Sequence, residues 1–221
     1  MNVIFFGSSD YCHPLILNLA DNFKLVGVVT KPDKLVGRNK SVISSSVKLL
    51  AQKLKIPVFT PENKNDLTNL KSKIYQSHPD IAIVADFGMI IPEEIFSIPK
   101  YKTLNIHFSK LPEFRGPSPV QYTILSGRKN SWISIIIMSE KMDEGDVLWQ
   151  QEVKLTGNET AGLLYQKLFN IAAFYLPDVI NKYAMNELKH EKQDSGKATY
   201  TRHLTREDGY IPWEIIVKII S

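Results

Sequence analysis

Three short apolar runs, Val3–Phe6, Leu25–Thr30 and Ile81–Ala85, and a fourth strand-like run, Lys102–His107, recur along this chain with stretches of helical period between them. A run that is apolar at successive positions has no solvent-facing side, so as a strand it must be covered on both faces. Tyr11–Ala20 alternates at helical spacing and carries Pro14 in its first turn, where proline is tolerated. Ser45–Leu54 sets Val47, Leu50 and Leu54 on one helical face, Pro57–Phe59 reads as a short strand, and Asp66–Gln76 as a third helix. The order β-α-β-α-β-α-β predicts an α/β domain on a parallel sheet with helices on both faces. Further on come a helical turn at Pro92–Phe96, a helix at Pro119–Ser126, and strands at Ile133–Met138 and Asp146–Val153. A long helix at Thr160–Lys182 follows, with Leu163, Leu164, Leu168, Ile171 and Ala172 as its core stripe. Lys31–Ser44 has no clear period and reads as a loop. From Met185 the chain is polar and irregular, save a short amphipathic end at Trp213–Ile220.

At 221 residues, 43% hydrophobic and 23% charged, the chain can bury one sizeable core. No run approaches the ~18 apolar residues that a membrane span needs. The start, MNVIFFGSSD, lacks the basic segment of a signal peptide. A single cysteine, Cys12, excludes an internal disulfide and a cysteine zinc site. Together these features lead us to expect a cytoplasmic protein. Of the net charge of +4, residues 31–73 carry ten basic against three acidic side chains, a local +7. That segment reads either as a solvated lysine surface or as the approach side for an anionic substrate, nucleic acid or a phosphorylated metabolite.

Chemistry is concentrated in Asn105-Ile106-His107 at the end of the fourth run, and in Met142-Asp143-Glu144-Gly145-Asp146. Polar side chains at the carboxyl end of a strand, beside a loop-lined crevice, stand where α/β proteins place their sites. An amide, an imidazole and a carboxylate can together polarise a carbonyl, stabilise an oxyanion and move a proton. Read singly, Asn105 is a strand-end turn former, His107 a buried core histidine, and the Asp143 segment a solvated turn. Gly7 is not followed by a G-x-G-x-x-G pattern and no acid ends the second run, so dinucleotide binding is not indicated. His13, His78, His190 and His203 read as structural or exposed, and Cys12 as a helix-packing residue. No His/Cys/acid cluster suggests a metal.

The run His107-Phe-Ser-Lys-Leu-Pro-Glu-Phe-Arg-Gly116, with Asp143-Glu-Gly-Asp146 downstream, resembles the folate-dependent formyltransferase family. The resemblance implies a Rossmann-like formyltransferase fold, 10-formyltetrahydrofolate as co-substrate, no metal, and Asn105, His107 and Asp143 as the catalytic set. In such a reaction an amine attacks the formyl carbon through a tetrahedral intermediate. Asn105 and a protonated His107 would donate to its oxyanion, while Asp143 orients His107 and helps a water take the amine proton. Within the family the likeness is to its tRNA-directed branch. Phe5-Phe6-Gly7-Ser8-Ser9-Asp10 is similar to that branch's first turn, and Lys31-Pro-Asp-Lys34-Leu-Val-Gly-Arg38 to its loop for the tRNA acceptor end. Phe87-Gly88-Met89-Ile90-Ile91-Pro92 is similar to its pterin-contacting segment. The resemblance thus implies folate contacts at Phe87, Gly88, Met89, Ile90, Ile91, Leu111, Pro112, Ser139 and Met142. Acceptor contacts are implied at Gly7, Ser8, Lys34, Arg38, Ser109, Arg115 and Gly116.

The expected acceptor is the primary amine of initiator methionyl-tRNA, handled by a monomer. A sugar N-formyltransferase acting on a nucleotide-linked amino sugar stays open as an alternative, as does a non-catalytic folate- or RNA-binding relative. Ser46, Phe108, Lys110 and Glu144 depart from the family pattern and bear on the choice of acceptor. The expected organisation is a catalytic domain over residues 1–184. Residues 185–221 would be an extension or the start of a linker, without the C-terminal β-barrel domain of the tRNA-directed enzymes.

Overall fold

The computed structural model describes residues 1–36 and 41–210. The first apolar run forms β1 (Asn2–Gly7), followed by a 3-10 turn at Asp10–Cys12, α1 (His13–Asn22) and β2 (Lys24–Val29). Two short strands, β3 (Lys34–Val36) and β4 (Ser41–Ile43), precede α2 (Ser46–Lys53), which Ser45 caps through its hydroxyl and the Lys48 N–H. Next come β5 (Val58–Phe59), α3 (Lys64–Asn69), α4 (Lys71–Gln76), β6 (Ile81–Ala85), α5 (Glu93–Phe96) and β7 (Thr103–His107). The chain continues through α6 (Pro119–Leu125), β8 (Asn130–Ile137), β9 (Val147–Lys154) and α7 (Ala161–Ala184).

Seven strands make one sheet in the order β5-β2-β1-β6-β7-β8-β9. The first five lie parallel, whereas β8 and β9 run antiparallel to their neighbours. The sheet therefore matches the expected Rossmann-like class, with a two-strand antiparallel extension at one edge. The continuous apolar character of the central strands has a direct cause. Val3 and Phe5 of β1 enter one core with α1 and α7, while Ile4 and Phe6 enter a second core with Leu67, Ile74 and Ile95 of α3, α4 and α5. Complete burial of such side chains contributes roughly 1.5–3 kcal/mol each. Strand order reverses between β1 and β6, since β2 and β5 lie on one side and β6 to β9 on the other. The crevice at the carboxyl ends of the strands beside that reversal is where an open α/β sheet binds ligands.

Four details differ from the sequence reading. Lys31–Ser44 is not wholly loop: β3 and β4 pair as a hairpin, with Val42 66% and Ile43 53% exposed. Apolar β-branched residues form strands even without a core, and their exposure hides the strand period. The single helix expected over Asp66–Gln76 is two, broken at Leu70. In α7, Leu163 is 58% exposed, and the buried stripe runs Leu164, Leu168, Ala172, Leu176 and Ile180, at the spacing of one helix face. The stretch after Ala184 is not free of the domain, because Glu191 bridges to Val147 and Tyr200 to Arg115. The amphipathic end at Trp213–Ile220 lies outside the described residues.

Cys12 packs in the α1 core, with its Sγ 3.4 Å from the Ala85 carbonyl oxygen. Burial pushes its thiol up to about 12. At pH 8 the folded protein is expected to leave Cys12 unreacted with an aromatic disulfide reagent, and to yield one thiol per chain in guanidinium chloride. Rapid titration of the native protein would contradict this packing.

Candidate active site

Asn105 and His107 lie two residues apart on β7, so the two-residue period of a strand puts both on one face. That face looks into a cavity of about 480 Å3 at the carboxyl ends of β6 and β7. Beyond His107 the chain turns through Phe114, held in the left-handed region at φ 57°. The Phe114 carbonyl oxygen stands 2.9 Å from His107 Nε2. A carbonyl only accepts, so Nε2 carries a hydrogen and donates it. The other ring nitrogen, Nδ1, faces Asp143 Oδ2 across 3.6 Å. Nε2 is thus taken by the main chain, and Nδ1 is on the side of the Asp143 carboxylate.

Asp143 ties the site together. Its Oδ1 accepts from Asn105 Nδ2 at 3.2 Å and its Oδ2 from the Gly116 N–H at 2.8 Å. Because Asn105 faces a carboxylate, the amide nitrogen must be on that side, and its second hydrogen is left for the cavity. Asp143 reaches this place on a bent connection between β8 and β9, with its own φ at 55°. The turn is tight because Gly145 lies against the end of β8: a Cβ there would sit 1.7 Å from the Ile137 carbonyl oxygen. Ile137 N–H then donates to the Asp146 carbonyl at 2.9 Å, and the Asp146 carboxylate meets His190 Nδ1 at 2.8 Å. Each member of Asp143-x-Gly145-Asp146 thus has its own mechanical reason.

The cavity wall contains Phe87, Gly88, Met89, Ile90, Ile91, Ser139, Met142 and Gly116, together with Asn105, His107 and Asp143. Other expected site residues lie elsewhere. Leu111 and Ser109 are buried under the loop, where Ser134 and Gln150 hold the loop's main chain. Ser109 Oγ donates to the Glu113 carbonyl at 2.5 Å, and Pro112 O accepts from Thr199 N–H at 3.3 Å. Gly7 packs against Ala85 and the Phe5 ring, and Ser8 Oγ donates to the Phe87 carbonyl at 2.8 Å, joining the ends of β1 and β6. Lys34 is exposed on the hairpin, away from the wall, and Arg38 lies outside the described residues. Arg115, expected among the acceptor contacts, is not part of the cavity wall. It is 1% exposed, and its guanidinium meets Glu144 Oε1 at 3.1 Å, Gln193 Oε1 at 2.9 and 3.1 Å, and Tyr200 Oη at 3.4 Å. A charge buried with its partners supports the loops from beneath and is not presented to a ligand.

The structure also adds residues that the sequence reading passed over. Asp86 and Tyr165 also line the cavity, and His203, read as structural or exposed, lines it too. Burial and the Asp86 carboxylate raise the Tyr165 phenol to about 12, while its hydroxyl donates to Gln121 Oε1 at 3.2 Å. Residues 199–201 run alongside 114–118, with Arg115 N–H donating to Thr199 O at 2.9 Å and Thr201 N–H to Arg115 O at 2.7 Å. Gly116, at φ 109°, permits this approach: a Cβ would sit 2.6 Å from the Thr201 carbonyl oxygen. No cluster of three or more His, Cys, Asp or Glu able to hold a metal occurs among the described residues.

The family model described as Formyl transferase matches residues 1–180. The chain belongs to this family. The methionyl-tRNA formyltransferase of Bacillus cytotoxicus is 38% identical over 214 residues, spanning 96% of this chain and 68% of that protein. Among solved structures, a methionyl-tRNA formyltransferase from Clostridium thermocellum superposes with a TM-score of 0.66 at 22% identity, covering 100% of this chain and 80% of that one. An N-formyltransferase from Helicobacter canadensis, in complex with folinic acid and dTDP-3-aminofucose, gives 0.69 at 21% identity, over 93% of this chain and 71% of that one. At these identities the two structures establish the fold, and the protein is a formyltransferase by family.

The Gly145 packing is directly testable. Gly145→Ala is expected to displace the Asp143 loop while leaving the sheet intact. Formyl transfer should fall about 100-fold, the scale of a 1 Å misplacement, with an unchanged far-ultraviolet dichroism spectrum. Full activity in this variant would show that the contact with Ile137 is not limiting.

Proposed function

We propose that the protein transfers the formyl group of 10-formyltetrahydrofolate to the α-amino group of methionyl-tRNA. The carrying observation is the meeting of Asn105, His107 and Asp143 on one cavity wall, in a chain similar over 96% of its length to a methionyl-tRNA formyltransferase. A tRNA acceptor puts the reaction in the cytoplasm.

The cavity suits the donor. Phe87, Ile91, Ile106, Ile136 and Met138 give its lining an apolar share that suits a flat ring, and Ser139 and the catalytic set add a few polar groups. The folate supplies the formyl carbon on its N10, and collapse of the tetrahedral intermediate breaks the bond to N10, which leaves carrying a proton in exchange for the one the amine gives up. The chain's own groups handle the charge and protons of the transfer. Asn105 donates its second amide hydrogen to the oxygen on which negative charge builds as the amine adds. His107 keeps Nε2–H on Phe114, so a doubly protonated ring reaches the same oxygen through Nδ1. Asp143, between His107 and Asn105, holds both in place and receives, directly or through a water, the proton that the amine must lose. Lys34 and Arg38, in the basic segment, are the proposed tRNA contacts.

The test is transfer from 10-formyltetrahydrofolate to initiator methionyl-tRNA, with nucleotide-linked amino sugars offered in parallel. Transfer to tRNA supports the reading; transfer only to an amino sugar replaces it with the sugar N-formyltransferase alternative. Bound folate without transfer would point to a binding module. Asn105→Ala and His107→Ala are each expected to lower kcat by about 10²–10³, with KM for both substrates little changed. Affinity for tRNA should fall log-linearly with added salt, and Lys34→Ala should lower the slope by about one. A salt-independent tRNA KM would exclude phosphate contacts by the basic segment.

A further inference from the structure

Gln193 is placed under the Asp143 loop with every polar valence of its amide in use. Its Nε2 donates to the main-chain oxygens of Asp143 and Gly145, both at 2.7 Å. Its Oε1 accepts from Arg115 Nε at 3.1 Å and Nη2 at 2.9 Å. An amide offers two hydrogens and two lone pairs, and all four are spent on the two loops that form the site. Arg115 completes the circuit through Glu144, the residue next to Asp143, at 3.1 Å. It is flanked by the two residues that touch the catalytic pair: the Phe114 carbonyl accepts from His107, and the Gly116 N–H donates to Asp143.

We propose that Gln193 is a positioning residue for formyl transfer, setting the main chain of the Asp143 loop at the height where its carboxylate meets His107 and Asn105. This rests on the catalytic set proposed above. Asp143 is held at both ends, its carboxylate by Gly116 and its carbonyl by Gln193. Its left-handed backbone at φ 55° is a conformation that a residue with a Cβ keeps only when its surroundings impose it. Two charge-neutral hydrogen bonds of 2.7 Å, from a side chain itself clamped by a buried guanidinium, supply that imposition. The functional unit then runs past the expected boundary at residue 184 to the strand-like segment ending at Thr201, which pairs with Arg115.

Two variants test this. Gln193→Met keeps the volume and removes the amide. Gln193→Glu keeps an acceptor for Arg115 and turns both donors into acceptors against the two carbonyls. Each is expected to lower kcat about 10–100-fold, with KM for folate and acceptor within about threefold. Because Gln193 acts through Asp143, the double variant Gln193→Met/Asp143→Ala should be no slower than Asp143→Ala alone. A purely structural contribution would multiply the two losses, and that outcome overturns the proposal, as does wild-type kcat in Gln193→Met. Amide hydrogen exchange gives a readout that does not need the acceptor. Gln193→Met should speed exchange in residues 139–146 and leave β1 and β6 unchanged. Wild-type protein that transfers formyl to nothing would sink the functional reading alone. Unchanged exchange at 139–146 would sink the positioning role whatever the reaction.

Discussion

The carboxylate of Asp143 accepts from the side chain of Asn105 on β7 and from the main chain of Gly116 on the following loop, and stands beside the His107 ring. Three separately positioned pieces of chain meet at these two oxygens. The parallel strands β6 and β7 supply a rigid edge, the antiparallel β8 and β9 carry the carboxylate back to it, and the 108–118 loop closes over the top. With both oxygens occupied, the carboxylate has its orientation fixed before any substrate arrives. Preorganised polarity of this kind reduces the reorganisation needed as charge develops.

Two glycines show how closely the pieces must approach. Gly145 lets the Asp143 turn lie on the Ile137 carbonyl, and Gly116 lets the loop lie on Thr201. Neither approach tolerates a Cβ. The backbone strain collected at Phe114 and Asp143 sits where the two loops face each other, and buried polar contacts beneath them hold it there.

The sheet was legible because burial on both faces leaves a one-dimensional signature: β1, β2 and β6 are nearly all apolar, and their ends are marked by glycine or polar residues. Asn105, His107 and Asp143 could be picked out because they combine chemistry-bearing side chains with strand-end and turn positions. An arginine beside a site reads as a ligand contact, and only the fold reveals that the Arg115 guanidinium pairs with Glu144 and hydrogen-bonds Gln193. Leu111 and Ser109 likewise stand in the motif while facing the interior. Gln193 left no trace, since its partners are main-chain oxygens fifty residues upstream and no periodicity reports such contacts. The β3–β4 hairpin was missed for the opposite reason, having strand geometry without a buried face.

The segment that braces the Asp143 loop comes after the last long helix in chain order, and this fixes a sequence of events during synthesis. Both faces of the sheet can be covered once α7 has emerged, because among the described residues every sheet strand and covering helix precedes Met185. Gln193 and Thr201 arrive later, by roughly 0.5–3 s at a translation rate of about 5–20 residues per second. For that interval the nascent chain holds a completed core beneath an unbraced Asp143 loop, so the fold is acquired before the geometry of the cavity wall.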